Sequence, residues 1–414
     1  MIDQKRENLL NLALAATEVE RRRVPELSAG YNSYSKTWEV IVQYQGDLAF
    51  LEEQGVRVTL LLFSYAILLV PESLMDYVTG LPQITYLEKP KLLYFADAFV
   101  RSISCITPVQ EGVMGLSGNG VLLACIDSGV DYAHPDFCAP DGTSRIAILW
   151  DQTIPGNPPM GYALGSVYTR RQINEALASS TPEERFALVP SRDVTGHGTA
   201  VLGIAAGNGR SSADAAMRGV APEATLVVVK LGNPDPADLP RTSQLLQAVD
   251  FCVRYALLVE RPLVINLSFG NNYGSHSGDS LLETYLNAVS NLGQNVICIG
   301  AGNEGDTGRH YAGNLKSDRK SSGQTQTVRA TSDPAATSAV SATADRAVSV
   351  EFQVGAYESS FSLQIWKVYG DEISIELISP GGIRSGTLSP VLGTARLTLG
   401  PTELLLFYGM PSPY

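Results

Sequence analysis

Charged residues are scarce in this sequence, and the few cations do not gather into a basic patch. Only 17% of the 414 residues are charged, 44% are hydrophobic, and the formal net charge is -12. A chain this acidic, without a basic patch, is not expected to bind nucleic acid or an anionic membrane surface. The hydrophobic content allows a sizeable core and argues against global disorder, and the length predicts two or three domains.

The sequence also lacks a disulfide framework, a metal-ligand motif and an apolar run of membrane length. Its five cysteines are odd in number and show no zinc-site spacing, and Cys125 and Cys298 lie inside apolar runs that predict buried strands. This pattern favours a reducing compartment. The apolar positions at the N-terminus are interrupted by Asn11 and Thr17, so no signal peptide is expected, and the apolar run over residues 60–70 is too short for a membrane helix.

Residues 1–95 predict an N-terminal helix followed by a small α+β domain. Apolar residues at helical spacing predict a helix over residues 1–24, ending near Pro25. The following segments predict a compact β-α-β-α-β unit, with strand 38–44, helix 47–54, one long strand or a bent pair over 56–70, helix 71–79 and strand 84–88.

Residues 96–314 predict an α/β domain with a parallel sheet and helices on both faces, because buried-looking strands alternate with helical stretches. The predicted strands are 121–126, 225–229, 263–267 and 296–299, and the predicted helices are 199–206, 243–258 and 280–292. A long insertion between residues 137 and 192 carries one predicted helix, 169–179.

Residues 315–414 predict a partial β-sandwich of the jelly-roll type. The predicted strands, 348–354, 360–368, 373–379, 394–399 and 404–407, follow one another without intervening helices. A sandwich needs more strands than these to close its sheets, so the unit is expected to be incomplete.

Three stretches within the α/β segment carry candidate chemistry. The apolar run 121–126 delivers Asp127 to a turn formed by Ser128 and Gly129, a common active-site position in open α/β sheets. Taken alone, this stretch favours the simpler interpretation of Asp127 as a turn cap. His197 lies between two glycines at the start of a predicted helix, in the stretch DVTGHGTAVLGIAAG, where packing explains a histidine poorly. Asn303 ends the stretch VICIGAGN and offers an amide donor at a strand end, although a turn-forming asparagine is the alternative.

Together the three stretches resemble the subtilisin-like serine peptidases. In that family an Asp lies in D-[ST]-G after a strand, a His in GHGT and an Asn in AAGNxG. Here they read DSG at Asp127, GHGT at His197 and GAGNEG at Asn303, in the family's order. A fourth stretch, INLSFG over residues 265–270, resembles the family's substrate-binding strand. The resemblance covers about residues 95–310, and the domain before it looks like the family's propeptide.

The resemblance implies a role for each matching residue. His197 would be the general base and then the general acid, Asp127 would orient it, and Asn303 would donate to the oxyanion. The implied substrate-binding residues are Ser268, Phe269, Gly270, Gly300, Ala301 and Gly302. A protein or peptide substrate and the chain's own propeptide-like domain are the implied partners. No cofactor is required, and a structural calcium ion is left open.

The family's nucleophile, in GTSxxxP after the Asn, has no counterpart downstream of Asn303. The single GTS, residues 142–144, lies between Asp127 and His197 and is rejected on order and context. We therefore expect an N-terminal part of a longer protease, with the serine beyond Tyr414. One alternative is a catalytically silent pseudoprotease that acts as a binding or regulatory module. Another is a metal-dependent hydrolase using Asp127 and His197, which lacks a third ligand at helical spacing.

The architecture narrows the resemblance to clostridial germination proteases of the Csp type. Those proteases combine a β-sandwich inserted between Asn and Ser with a long loop between Asp and His. They lack signal peptides and act in spores on the precursor of a cortex-lytic enzyme. The resemblance therefore implies a cytoplasmic or spore-associated protein.

Overall fold

The computed structural model describes residues 4–92, 94–95, 106–111, 115–212, 217–233, 239–304, 308–313, 342–343, 347–355, 358–368, 373–388 and 392–409. Within these ranges, no helix combines the length and the apolar character needed to cross a membrane.

The N-terminal segment forms short helices where the sequence predicted one helix over residues 1–24, so that prediction is wrong. The helices are α1 (Asn8–Ala15), α2 (Glu18–Arg23) and α3 (Pro25–Ser28). Ala16 is extended, and Thr17 then opens α2 with a capping box. The Thr17 side chain accepts from the Glu20 N–H, and the Glu20 carboxylate accepts from the Thr17 N–H. This local bonding interrupts the helix, because it occupies backbone groups that a continuous helix would use.

An antiparallel sheet forms the rest of the N-terminal domain. Its strands are β1 (Tyr31–Asn32), β2 (Thr37–Tyr44), β3 (Arg57–Leu60), β4 (Tyr65–Pro71) and β5 (Ile84–Glu88), accompanied by helix α4 (Met75–Gly80) and by 3-10 helices at Ala49–Gln54, Leu62–Ser64 and Glu72–Leu74. Strand β2 pairs with β1, β4 and β5, and β3 pairs with β4. The apolar run over 56–70 is therefore the bent pair, turned at Phe63 and Ser64, whose φ angles are 59° and 62°.

The alternation of side chains along β2 places this sheet between two cores. Trp38, Val40 and Val42 are buried with the domain's own helices. Ile41 points the other way and joins the core of the α/β domain, together with Ile67 of β4. One face of the sheet thus completes the N-terminal domain, and the other face docks on the rest of the chain.

The middle of the chain supplies the elements of the α/β domain. In chain order they are β6 (Tyr94–Phe95), α5 (Ile106–Glu111), β7 (Leu122–Asp127), β8 (Ile146–Asp151), β9 (Ser166–Thr169), α6 (Arg170–Leu177), α7 (Pro182–Leu188), α8 (His197–Ala206), β10 (Thr225–Lys230), α9 (Thr242–Leu258), β11 (Leu263–Leu267), β12 (Phe269–Gly270), α10 (Leu281–Ser290) and β13 (Asn295–Ile299). In the described part of the chain, six strands form one sheet in the order β13-β11-β7-β10-β8-β9. All its pairings are parallel except that of β8 with β9.

Helices cover both faces of this sheet, as the sequence predicted. On β7, Leu122, Ala124 and Ile126 face the core shared with α9 and α10. Leu123 and Cys125 face the core shared with α8. Because side chains alternate along a strand, Asp127 at the end of β7 falls on the α8 side.

The insertion between residues 137 and 192 holds more structure than its sequence predicted. Strands β8 and β9 extend the main sheet, and α7 follows the expected helix. The helix predicted over 169–179 is present as α6, and α7 is a second helix that was not predicted; Thr169 and Thr181 open them, each with a capping box. The strands were missed because the Pro- and Gly-rich start of the insertion reads as a loop.

The described residues after 341 form hairpins rather than a closed sandwich. The strands are β14 (Ala342–Thr343), β15 (Ala347–Val348), β16 (Ile375–Ile378), β17 (Arg384–Leu388), β18 (Gly393–Leu399) and β19 (Thr402–Tyr408), paired in sequence as two-stranded antiparallel sheets. The strands predicted over 348–354 and 360–368 are wrong, because the described residues there are irregular after Val348. Most of their side chains are exposed, so no packed face selects an extended register. The jelly-roll sandwich stays a prediction.

The last hairpin lies against the N-terminal helices. The Arg396 guanidinium pairs with the Glu20 carboxylate at 2.9 Å and donates to the Ala15 carbonyl. Arg23 pairs with Glu403 at 2.9 Å. Residues more than 370 positions apart in the chain are thereby joined, so the C-terminal segment closes back on the N-terminal domain.

Two buried lysines close to each other at the end of the N-terminal domain have opposite electrostatic surroundings. Lys89 is fully buried and its ammonium donates to the Glu26 carbonyl, and burial lowers its pKa to about 7. Burial also opposes the charge of Lys91, but the carboxylates of Glu7 and Glu88 outweigh it and raise the pKa of Lys91. Lys91 therefore stays charged at neutral pH, whereas Lys89 is near its titration midpoint.

This contrast predicts different effects on stability for the same substitution at the two lysines. The pKa of Lys89 is about 7 in the folded protein and 10.5 in an unfolded chain. Between these two pH values the unfolded chain therefore binds more protons than the folded protein. The free energy of unfolding should therefore rise with pH across that window, and Lys89→Met should flatten the rise. Lys91→Met should lower the free energy of unfolding by about 3–5 kcal/mol, because it leaves two buried carboxylates without their cation. Urea unfolding at several pH values measures both, and equal profiles for wild type and Lys89→Met would contradict the first.

Candidate active site

The candidate acid lies where the buried strand β7 ends. Asp127 is the last residue of β7, and its side chain is 1% exposed. The turn of Ser128 and Gly129 follows, and the Ser128 N–H donates to Asp127 Oδ1 at 2.6 Å. Gly129 has a φ of 119°, a conformation that other residues rarely adopt, so the sharp turn depends on glycine. The strand and the turn together hold the carboxylate in one orientation.

The candidate base opens helix α8 and contacts that carboxylate directly. Gly196, with φ 77°, turns the chain into the helix, and His197 is its first residue. His197 Nδ1 lies 2.6 Å from Asp127 Oδ1, and the imidazole is 10% exposed. An ionised carboxylate can only accept, so Nδ1 carries the proton and Nε2 of the neutral ring is left as the proton acceptor. The two residues are 70 positions apart in sequence, and the fold brings them together.

A second glycine permits this close approach. A Cβ on Gly198 would lie 2.2 Å from the Gly129 carbonyl oxygen and 3.1 Å from Asp127 Oδ1. A Cβ on Gly129 would meet the Arg192 carbonyl oxygen at 3.3 Å. The start of α8 and the turn after β7 are therefore in backbone contact, which explains Gly198, whereas Gly196 is favoured by its positive φ.

Burial makes the charge of Asp127 costly. Desolvation raises the pKa of the Asp127 carboxyl above its ordinary value, and the hydrogen bonds from His197 and Ser128 offset only part of that shift. Its second oxygen, Oδ2, is buried and has no hydrogen-bond partner among the described residues. The imidazolium form of His197, when it forms, places a positive charge directly against this carboxylate and compensates it.

Sequence reasoning gave no role to Asp193, although this residue opens the histidine stretch. Its carboxylate accepts hydrogen bonds from Ser128, Gly196 and Thr199, on both sides of the Asp127–His197 pair. An Asp three residues before a glycine at a helix start is a recognisable capping signal, but its second partner is 65 positions away and leaves no trace in the local pattern.

The expected substrate strand is already paired, and its partner belongs to the same chain. Phe269 and Gly270 form β12, which pairs antiparallel with β6, Tyr94–Phe95. The Ser268 hydroxyl accepts from the Asn266 amide at 2.7 Å, directly before β12. Phe269 and Gly270 therefore form a strand edge, and residues 94–95, which follow the N-terminal domain, lie along it.

A second backbone contact, to the residues just before β6, was not predicted. The Thr242 N–H donates to the Lys91 carbonyl at 2.7 Å, and the Lys91 N–H donates to Thr242 Oγ1 at 2.8 Å. Leu92 forms an antiparallel bridge with Arg241. The loop before α9 and strand β12 thus contact neighbouring parts of one extended segment. Sequence patterns did not indicate the loop, because its contact is made by backbone groups.

The loop after β13 carries the remaining predicted residues. The Gly300 N–H donates to the Leu267 carbonyl at 2.9 Å, which places this loop next to the start of the substrate strand. Gly300, Ala301, Gly302 and Asn303 are all exposed. The structure brings the loop to the carboxyl end of the sheet, the end that carries Asp127, and leaves the Asn303 side chain accessible.

The structure also bears on the GTS serine and on the metal-dependent alternative. Ser144, from the misplaced GTS, is 3% exposed and its hydroxyl accepts from the Ile146 N–H, so it is built into the fold. Among the described residues no group of three or more His, Cys, Asp or Glu side chains could hold a metal ion. Cys298, expected in a buried strand, is exposed because β13 is the edge strand of the sheet.

Comparisons with known proteins agree with this geometry. Residues 4–91 match the description "Csp protease B prodomain" and residues 118–401 match "Subtilase family". Subtilisin E of Bacillus subtilis is 26% identical over 228 residues, which are 55% of this chain and 46% of that protein. The major intracellular serine protease of the same species is 28% identical over 205 residues, 49% of each protein.

The similarity extends to solved structures. The structure of the Clostridium perfringens CspB protease is similar at 27% sequence identity with a TM-score of 0.56, and the match covers 74% of this chain and 55% of that one. The chain spans about half the length of the curated relatives it matches.

Two alanine substitutions in α8 should test the backbone contact. Gly198→Ala should lower the free energy of unfolding by about 1–3 kcal/mol, because the methyl group meets the Gly129 carbonyl. Gly203→Ala, in the same helix with open space around the position, should instead add about 0.5–1 kcal/mol. Urea unfolding compares them. Equal effects at the two positions would mean that the contact does not constrain the site.

The cost of the buried charge should appear in the pH dependence of stability. Below pH 3.8, the ordinary pKa of an aspartate, Asp127 is protonated in both the folded and the unfolded protein. Above pH 3.8 it ionises in the unfolded chain first, because its pKa is higher in the folded protein. The free energy of unfolding of the wild type should therefore fall relative to Asp127→Asn as the pH rises from 3.8 through the raised folded pKa. Comparing the two proteins at each pH cancels the fixed cost of the amide. A difference independent of pH would contradict the assignment.

Proposed function

This chain belongs to the subtilase family, and from that premise we propose that it provides the acid–base pair and the substrate cleft of a serine endopeptidase that works through an acyl-enzyme. The observation that carries the proposal is the 2.6 Å contact between Asp127 and His197 at the carboxyl end of a parallel sheet. His197 Nε2 removes the proton from a serine hydroxyl as the oxygen attacks the scissile carbonyl. The same imidazole then returns the proton to the departing amine.

Asp127 has two functions in this scheme. It holds the neutral imidazole with its proton on Nδ1, so that Nε2 faces the reacting groups, and it stabilises the imidazolium that forms in the transition state. The buried Oδ2, without a partner among the described residues, supports the second function. A carboxylate that is poorly compensated in the resting state gains most when its neighbour becomes positive.

The substrate is a protein or peptide in extended form. Support comes from residues 91–92 and 94–95, which bond through backbone groups to the loop at Arg241 and to strand β12, respectively. A substrate chain bound the same way uses Ser268, Phe269 and Gly270 as its partner strand. Because residues 91–92 and 94–95 lead directly out of the N-terminal domain, the domain acts as a propeptide whose end lies in the cleft.

The oxyanion donor of the proposal is Asn303. Its loop is joined to the start of the substrate strand through the Gly300–Leu267 hydrogen bond, and its side chain is exposed. An amide donor at that place can bond to the oxygen that becomes negative in the tetrahedral intermediate. The nucleophilic serine is assigned to a segment outside residues 1–414, because no GTSxxxP stretch follows Asn303.

A fluorophosphonate probe, which modifies a serine only when a base activates it, tests the proposal. The complete product of the gene should be labelled, and residues 1–414 alone should not. His197→Ala in the complete product should slow labelling on the order of 10⁴-fold or more. His134→Ala is the matched control, because His134 accepts a turn N–H at Asp136 and lies outside the pair.

Each contrary outcome has a definite meaning. Labelling of residues 1–414 alone would place the nucleophile within this chain. A complete product that folds but is not labelled would identify a silent binding protein. Labelling that survives His197→Ala unchanged would remove the histidine from the mechanism.

A further inference from the structure

The carboxylate of Asp193 is the most heavily bonded polar group around the Asp127–His197 pair. Its Oδ1 accepts from Ser128 Oγ at 2.8 Å, the Gly196 N–H at 3.0 Å and Thr195 Oγ1 at 3.2 Å. Its Oδ2 accepts from the N–H and the hydroxyl of Thr199 at 2.8 and 2.7 Å. None of these bonds involves the imidazole or the Asp127 side chain.

These bonds connect two segments, the turn after β7 and the first turn of α8. Ser128 belongs to the turn after β7, and its Oγ also accepts from the Gly198 N–H at 2.9 Å. Thr199 belongs to the first turn of α8, and its Oγ1 also accepts from the Asp131 N–H at 2.9 Å. The carboxylate therefore lies at the centre of a network in which each segment bonds to the other directly and through Asp193.

Ordinary helix capping accounts for only half of this arrangement. A capping aspartate bonds to N–H groups of its own helix, as Asp193 does at Gly196 and Thr199. The bond to Ser128 crosses to the neighbouring segment. It reaches the residue that follows the candidate acid, whose own N–H donates to Asp127 Oδ1. A shift of Ser128 would therefore move the carboxylate that the imidazole must meet.

The charge of Asp193 makes the network strong. Burial acts against ionisation, but the hydrogen bonds from Thr199, Ser128 and Gly196 outweigh it and hold the pKa of Asp193 below its ordinary value. The group is therefore a carboxylate at neutral pH. Hydrogen bonds to an ionised acceptor are about twice as strong as neutral ones, and negative charge is favoured at a helix N-terminus.

We propose that Asp193 is the positioning residue of the catalytic pair: its carboxylate locks the turn at Ser128 to the first turn of α8, and so sets the Asp127–His197 distance. The inference rests on the proposed function and deepens it. Asp193 acts through its neighbours and touches no reacting atom. Removing it should loosen the pair even in a chain that remains folded, because the two segments then keep only the two direct bonds at Ser128 and Thr199 and lose the charged acceptor that joins them.

Nuclear magnetic resonance of residues 1–414 with ¹⁵N-labelled histidine tests this directly. The sequence has four histidines, so a His197→Ala spectrum assigns the signal. In the wild type we expect His197 with its proton on Nδ1, exchanging slowly with water. Asp193→Ala should speed that exchange about tenfold or more, since a hydrogen bond to a charged group is worth about 1.5–3 kcal/mol. Asp193→Asn should act similarly, because its amide would face the Thr199 donors.

Asp141→Asn is the matched control. The Asp141 carboxylate also accepts from an N–H and a hydroxyl, both of Thr143, but in an exposed turn outside the network. It should leave the His197 signal unchanged. Ser128→Ala removes the crossing bond together with the bond from the Gly198 N–H to the same hydroxyl, and should reproduce part of the Asp193→Ala effect. If Asp193→Ala does not fold, the exchange rates of Ser128→Ala and Asp193→Asn test the positioning role of Asp193.

A role limited to helix stability predicts another result. In that case the Asp193 variants would unfold at lower denaturant concentration while His197 kept its wild-type tautomer and exchange rate, and the positioning role would be overturned. The proposed function fails separately, if the complete gene product with an intact pair is not labelled by the fluorophosphonate. Labelling at the wild-type rate in Asp193→Asn would contradict the positioning role and leave the proposed function standing.

Discussion

The short bond between the Asp127 carboxylate and the His197 imidazole is the interaction on which the rest of the site depends. It requires a charge at the end of a fully buried strand, and burial makes that charge costly. The fold tolerates the cost because two segments approach at backbone distance through Gly129 and Gly198. The imidazole therefore replaces water as the partner of the carboxylate. Such a site is preorganised to stabilise the imidazolium form of His197.

The N-terminal domain meets the α/β domain through buried charge as well as apolar surface. Lys91 lies between Glu7 and Glu88, and Glu88 also accepts the N–H of Leu281 at the start of α10. Tyr94 and Phe95, which follow in the chain, pair with β12. A buried ion pair adds little net stability but is costly to break, so these contacts favour one docking geometry of the two domains. That geometry sets where Tyr94 and Phe95 lie along β12.

Those features that depend on local pattern were predictable from the sequence. The apolar run before Asp127 and the glycines around His197 sufficed to place both residues at element ends, and the strands and helices of the α/β domain lie close to their predicted bounds. The errors arose where a few polar bonds override periodicity. The Thr17 capping box divides the first helix, and the strands of the insertion carry no alternation clear enough to detect. Asp193 and the loop at Arg241 act through partners distant in sequence, so no local pattern could identify them.

The three predicted site residues are not equally constrained by packing. Asp127 and His197 are fixed by a sheet covered on both faces, by glycine contacts and by the Asp193 network. Asn303 follows β13, the edge strand, on which Val296 and Ile299 are 55% and 58% exposed. Strands of parallel sheets are normally buried on both faces, so β13 lacks the packing that orders β7 and β11. The acid–base half of the site is therefore complete within the described residues. The position of Asn303, the proposed oxyanion donor, depends on the register of that edge strand, on the Gly300–Leu267 backbone bond and on the Asn272 amide, which donates to the neighbouring Glu304 carboxylate.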